Sequence, residues 1–172
     1  MKILVVCVGN ICRSPLAERL LRARLGEEAT VTSAGLRATG GQPMEPHAAA
    51  ELTRLGGDPA GFASQVATPL VIESADLVLT MTKDLRTDVL QRSPRMMRRT
   101  FTLGEFAAIC EAVPGLASAP DLIAAAARSR SHGAGAADVP DPIGQTAQVH
   151  AEVADLISSL LDAPVRVLRR ED

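Results

Sequence analysis

Apolar residues fill positions 3–6 as Ile3-Leu4-Val5-Val6 without a polar break, and the turn residues Gly9 and Asn10 end the run, which predicts a buried strand over residues 2–6. Beyond a short loop, Leu16, Ala17, Leu20, Leu21 and Leu25 recur at helical spacing up to Gly26. Ser14 is the expected N-cap of that helix and Pro15 its first helical residue. A second strand is expected over residues 30–33, running into Ala34-Gly35, and a second helix over 46–55, stopped by Gly56-Gly57. Residues 75–81 predict a third strand, helical sequence follows through Leu90, and residues 99–103 predict a fourth strand. Val149, Val153, Leu156, Ile157, Leu160 and Leu161 mark a final amphipathic helix, with Pro164 as its expected stop.

Strands alternating with helices imply an α/β fold: a parallel sheet flanked by helices on both faces, a three-layer sandwich of Rossmann-like type. The 172 residues suit a single domain. The stretch 104–137 departs from the rhythm: it is Ala-rich, interrupted by Pro114 and Pro120, and reads as two short helices and a mobile Ser/Gly/Ala loop over 129–137.

Formal net charge is −2, so electrostatics give no reason to expect nucleic acid or an anionic membrane as partner, and any anion site must be local. The apolar start is too short for a signal peptide, and no segment reaches the ~18 apolar residues of a membrane span, so a soluble, cytoplasmic protein is expected. Three cysteines, Cys7, Cys12 and Cys110, are too few and odd in number for a disulfide scaffold and suit a reducing compartment. No CxxC pair or His/Cys cluster is present in the sequence, so no metal is expected.

The chemistry concentrates in Cys7-Val8-Gly9-Asn10-Ile11-Cys12-Arg13-Ser14, between the end of a strand and the start of a helix. A loop of this length can curl so that the amides of Val8, Gly9, Asn10, Ile11, Cys12 and Arg13 converge on an oxyanion, helped by the helix N-terminus. Gly9 and Asn10 allow the unusual backbone this needs. Arg13 offers a forked guanidinium for two phosphate oxygens. The same dipoles would hold Cys7 as a nucleophilic thiolate, to which Ser14 can donate a hydrogen bond. A plain core cysteine would explain neither the spacing nor its location, and a nucleotide-binding loop would require GxxxxGK[ST], which is missing. Asp138-Val139-Pro140-Asp141-Pro142 forms a rigid turn before the last helix, where Asp141 could protonate a leaving oxygen or simply belong to an Asp-Pro turn.

CVGNICRSP at residues 7–15, Thr32-Ser33-Ala34-Gly35, Ala75-Asp76-Leu77-Val78-Leu79-Thr80-Met81 and Asp141-Pro142-Ile143-Gly144 resemble the low-molecular-weight protein tyrosine phosphatases over most of the chain, leaving 104–137 as an insertion. The resemblance implies a four-stranded parallel sheet, no cofactor or metal, and hydrolysis of phosphotyrosine in proteins, or of small aryl phosphates, through a phosphocysteine, with inorganic phosphate as product. Cys7 would be the nucleophile, Arg13 and the loop amides the phosphate binders, and Asp141 the acid and then base. Asn10, Ser14 and Ser33 would support the loop. Cys12 would form a reversible disulfide with Cys7 that protects it from overoxidation.

This chain also departs from the family. Ile143-Gly144 and Thr39 stand where pocket aromatics are common, and Phe62 lies near where a His often supports the loop. His47, His132 and His150 read as surface or capping residues, and Cys110 as a core residue. Protein arginine phosphatases share the fold and loop but carry Thr where this chain has Ile11, whose apolar side chain suits an aryl phosphate better. Arsenate reductases of the same fold need two further cysteines close together, and only Cys110 lies outside the loop. A phosphate-binding module without turnover would have no use for Cys7, Arg13 and Asp141 together. The 129–137 run would let Asp141 swing over the site as a lid.

Overall fold

Four short strands form one parallel sheet: β1 (Lys2–Cys7), β2 (Thr30–Gly35), β3 (Leu77–Thr80) and β4 (Thr100–Thr102), in the spatial order β2-β1-β3-β4. The computed structural model describes residues 1–118 and 120–169. The central position of β1 explains its unbroken apolar run, because a strand covered on both faces has no solvent side to mark with polar residues. Ile3, Leu4, Val5 and Val6 are all buried, as are Leu77, Val78 and Leu79 beside them on β3.

Among the described residues eight α-helices pack around the sheet: α1 (Arg13–Leu25), α2 (Pro46–Arg54), α3 (Pro69–Glu73), α4 (Lys83–Arg92), α5 (Leu103–Ala112), α6 (Leu122–Arg128), α7 (Ala147–Leu160) and α8 (Asp162–Leu168). The parallel four-stranded sheet with helices is the expected architecture. Two details differ. The five-residue α3, capped by Thr68, is too short to leave a periodic signal in sequence. Pro164 does not end the last helical region: it sits in the first turn of α8, where its missing N–H has no helical partner to lose.

The core is aliphatic, with Phe101 and Phe106 forming a pair of phenyl rings within it, centroids 5.4 Å apart. Phe106 and Ile109 of α5 are fully buried, so this helix is part of the core. A capping box between Thr102 and Glu105 starts it. The same Glu105 carboxylate, itself buried, accepts from Arg86 at 2.6 Å and from Arg130 at 2.9 Å.

The run 129–137, whose small residues predicted a mobile loop, is fastened at two points. Arg130 donates to the carbonyls of Met97 and Thr100, both at 3.0 Å, and its guanidinium lies 4.1 Å over the Phe101 ring. Gly133 packs so closely on α5 that an added Cβ would come within 2.6 Å of Glu105 Cγ and 2.7 Å of its carbonyl oxygen. Its missing side chain therefore serves close packing. The chain then returns across the carboxyl end of the sheet, where Val139 N–H donates to Met81 O (2.9 Å) and Asp138 Oδ1 accepts from Lys83 N–H (3.0 Å). These bonds bring the Asp-Pro turn beside the loop that follows β1.

Candidate active site

The chain leaves β1 at Cys7, runs to β2 on one side and crosses back to β3 on the other. Strand order reverses at that point, which leaves a crevice at the carboxyl end of β1, where open α/β sheets commonly bind ligands. The loop between Cys7 and Arg13 fills this place.

Its shape is imposed by side chains beneath it. Asn10 is fully buried and takes φ 55°, alone among the described non-glycine residues in having positive φ. Its amide Nδ2 donates to Ser14 Oγ (2.9 Å) and Ser33 Oγ (2.8 Å), while Oδ1 accepts from the Gln65 backbone N–H at 2.7 Å. Ser33 Oγ donates in turn to the buried Glu18 carboxylate at 2.5 Å. Satisfying Asn10 on all sides offsets the left-handed backbone. The Gln65 amide occupies the role for which a supporting His was missed at Phe62. Phe62 instead packs 5.7 Å from the Arg19 guanidinium.

Gly35 of β2, opposite Cys7 in the register, sets how near the loop can come. A Cβ there would lie 2.6 Å from Val8 O, 2.8 Å from Asn10 N and 2.9 Å from Gly9 C. In the sequence Gly35 reads as a strand end, and Glu18 carries no signal of its own. Their involvement comes from packing between distant segments.

At the centre of the curl, Cys7 Sγ accepts from Asn10 N–H at 3.2 Å and lies 2.9 Å from Ser14 Oγ. Ser14 is therefore not the helix cap: α1 begins one residue earlier, after Cys12, and the Ser14 hydroxyl is turned to the sulfur. Arg13 is buried, with Nη1 donating to Val139 O (3.1 Å) and Nη2 to Asp141 Oδ2 (2.5 Å). Its Nε–H has no hydrogen-bond partner, a donor aimed at nothing the protein supplies. Asp141 is more exposed, and its Oδ1 accepts from Ile143 N–H at 3.2 Å.

Cys7, Val8, Gly9, Ile11, Cys12, Arg13, Asp141 and Ile143 together enclose a cavity of about 120 Å³. Its walls are aliphatic, as expected from the missing aromatics, and Thr39 is not among its lining residues. Beside it runs a groove of about 360 Å³ whose lining includes Asp84, Asp88, Asp138 and Asp141, with Arg37 and Arg13 as its cations. Burial, with the neighbouring Glu45 adding to it, pushes the Cys12 thiol up to about 12, so Cys12 is an uncharged thiol. Cys7, Cys12 and Cys110 are free and buried.

The other titratable candidates are dispersed, with one exception. Cys110 sits in α5, where burial pushes its thiol up to about 12. His132 is exposed beside Ser129 O. His150 was expected at the surface but is buried in α7, its ring 5.1 Å from that of His47, because the apolar stripe of α7 carries it inward. No helix among the described residues is long and apolar enough to cross a membrane.

Comparison with known proteins agrees with the fold. The family described as low molecular weight phosphotyrosine protein phosphatase matches residues 2–113. The probable low molecular weight protein-tyrosine-phosphatase EpsP of Ralstonia nicotianae is 40% identical over 103 residues, covering 60% of this chain and 70% of that one. The protein-arginine-phosphatase of Bacillus subtilis is 31% identical over 177 residues and covers 99% of both chains. The YwlE arginine phosphatase from Geobacillus stearothermophilus superposes with a TM-score of 0.80 at 28% identity, over 99% of this chain and 94% of that one. With more than half its length matched, the chain belongs to the low molecular weight phosphotyrosine protein phosphatase family and is a phosphatase acting on phosphorylated proteins.

Proposed function

We propose that Cys7, Arg13 and Asp141 carry out phosphocysteine chemistry on phosphotyrosine in proteins or on small aryl phosphates. The observation that carries this reading is the sulfur of Cys7 held between Asn10 N–H and Ser14 Oγ, with Arg13 and Asp141 on the same small cavity.

When a phosphate enters, the partnerless Arg13 Nε–H and the Nη2 donor now held by Asp141 turn to its oxygens, alongside the amides of Val8, Gly9, Asn10, Ile11, Cys12 and Arg13. The Cys7 thiolate attacks phosphorus, forming the S–P bond as the ester P–O bond breaks, and Asp141 gives its proton to the departing oxygen. Asp141 as carboxylate then takes a proton from the water that attacks the phosphocysteine. Inorganic phosphate leaves, and Ser14 steadies the regenerated thiolate. Asn10 and Ser33 keep the loop in shape. Cys12 is the proposed partner of Cys7 in a protective disulfide.

The aliphatic cavity wall of Val8, Ile11 and Ile143 favours a flat aryl group. A second reading, phosphoarginine, draws on the full-length likeness to the protein-arginine-phosphatase and on the acidic groove, which would welcome a guanidinium. Residues 1–172 would act as one catalytic domain, with 104–137 as its variable part, in the reducing cytoplasm that suits three free thiols.

The test is hydrolysis of aryl phosphates by wild type, Cys7→Ser and Asp141→Ala. Cys7→Ser should abolish turnover, and Asp141→Ala should slow poor leaving groups far more than good ones. Turnover surviving in Cys7→Ser would end the proposal. Phosphotyrosine and phosphoarginine peptides compared on wild type and Ile11→Thr decide between the substrates: the aryl reading requires higher kcat/KM on phosphotyrosine for wild type.

A further inference from the structure

We propose that Cys12, Glu45 and His150 form a site for a thiophilic divalent transition-metal ion, with Zn²⁺ the best fit, directly behind the phosphate-binding loop. The three residues come from the loop, the N-cap of α2 and the middle of α7. Their spacing of 33 and 105 positions hides the cluster from any sequence motif. One donor atom from each lies within 4.8 Å of the other two.

Tetrahedral zinc, with bonds of about 2.0–2.3 Å, sets its donors roughly 3.3–3.8 Å apart, so closing on an ion requires shifts of at most about 1 Å, and none for His150 Nδ1 and Glu45 Oε2 at 3.4 Å. His150 has a side chain 1% exposed, and its Nδ1 makes no hydrogen bond, though it lies within ion-pair range of Glu45 Oε2 at 3.4 Å. A buried imidazole nitrogen without a hydrogen bond, facing a carboxylate, is a donor pair that a shared cation would satisfy. Glu45 is already fixed in place: its carboxylate accepts from Ala48 N–H (2.9 Å), and its own N–H donates to Ile11 O (2.9 Å).

Space and charge agree with an ion. A cavity of about 10 Å³, lined by Cys12, Arg13, His150 and otherwise apolar residues with Glu45 outside it, matches the roughly 10–15 Å³ that one water needs, room for a fourth ligand on the Cys12–His150 side. Cys12 also lines the larger cavity at the Cys7–Arg13 loop, so the two cavities share this residue. On binding, the Cys12 thiol gives its proton to solvent and its sulfur forms the metal bond; thiolate and Glu45 together then balance the 2+ charge around a neutral imidazole. The one cation lining the small cavity, Arg13, is neutralised through Asp141. The soft sulfur and imidazole pair selects zinc or cobalt over magnesium or calcium.

Cobalt(II) serves as the probe, because thiolate ligation gives a sulfur-to-cobalt charge-transfer band and tetrahedral geometry gives intense visible bands. Titration of the full chain with Co²⁺ should produce both, and Zn²⁺ should displace them. Cys7→Ser should keep the bands, and Cys12→Ser should lose them. His150→Ala and Glu45→Gln should weaken binding at least ten-fold while aryl phosphatase activity in metal-free buffer persists, which also reports that the variants fold. His150→Gln, of similar size, supplies the same comparison should the alanine variant fail to fold. Absence of the bands in wild type would overturn the site, as would bands lost in Cys7→Ser or retained in His150→Gln.

Discussion

Gly35→Ala probes how far the Cys7–Arg13 loop depends on the strand beside it. The new methyl would start 2.6 Å from Val8 O, and ordinary contact begins at 3.4 Å, so the loop must retreat by about 0.8 Å. It cannot do so freely. Val8 O is held by Arg37 N–H at 2.8 Å and Cys7 O by Leu36 N–H at 3.1 Å, so any shift also strains the first bonds after β2. The atoms displaced belong to the backbone that surrounds Cys7 Sγ, and misplacement of about 1 Å can cost a reaction ~10²-fold. Kcat/KM for an aryl phosphate should fall by about that factor. Overpacking should also cost about 1–3 kcal/mol of stability. Steady-state hydrolysis measured well below the urea midpoint separates the two effects. A folded Gly35→Ala protein with kcat/KM within about three-fold of wild type would refute the claim that this contact sets the loop.

Ser33→Ala removes the link between Asn10 and Glu18 and leaves a buried carboxylate one hydrogen bond short, so it should lower the stability read from urea unfolding by about 1–3 kcal/mol. Asp141→Asn frees Arg13 from its carboxylate and removes a negative charge beside the incoming dianion; inorganic phosphate should inhibit it more strongly than wild type, and weaker inhibition would contradict the Arg13–Asp141 competition. Cys110 links stability to pH. Its folded thiol is held near 12 by burial, well above the value in the unfolded chain, so the unfolded state alone loses this proton as pH rises past about 9. The share of stability due to Cys110 should therefore be complete below that point and fall by up to about 1.4 kcal/mol per pH unit as pH climbs toward 12, with the equally raised Cys12 adding a like share, so Cys110→Ala should reduce the slope by about half in urea titrations at pH 8–10.

The strand-loop-helix at residues 2–25 was legible because its signals are local: an apolar run, a C-x5-R spacing and helical periodicity fall within one stretch of chain. Asp141 was legible only through its Asp-Pro turn. What escaped detection depends on contacts between distant segments. Glu18 looks like any charge on a helix until Ser33 is set against it. Ser14 carries a cap's signature, yet the sulfur takes its hydroxyl. The Gln65 contribution is a backbone amide, which no side-chain motif can announce. The 129–137 run was misread because small residues signal either freedom or tight packing, and Gly133 against Glu105 is the second.

Arg130 has a consequence for how the molecule behaves among its own copies. β4 is a three-residue strand at the end of the sheet, the kind of border on which a stray strand can dock and seed a growing assembly. The guanidinium of Arg130 already occupies the carbonyls of Thr100 and Met97 along that border, while its charge rests on Glu105 and its flat face on Phe101. One side chain from the small-residue run thus takes up the Thr100 acceptor on that border and sets a charge there, which makes the margin a poorer template for a docking strand.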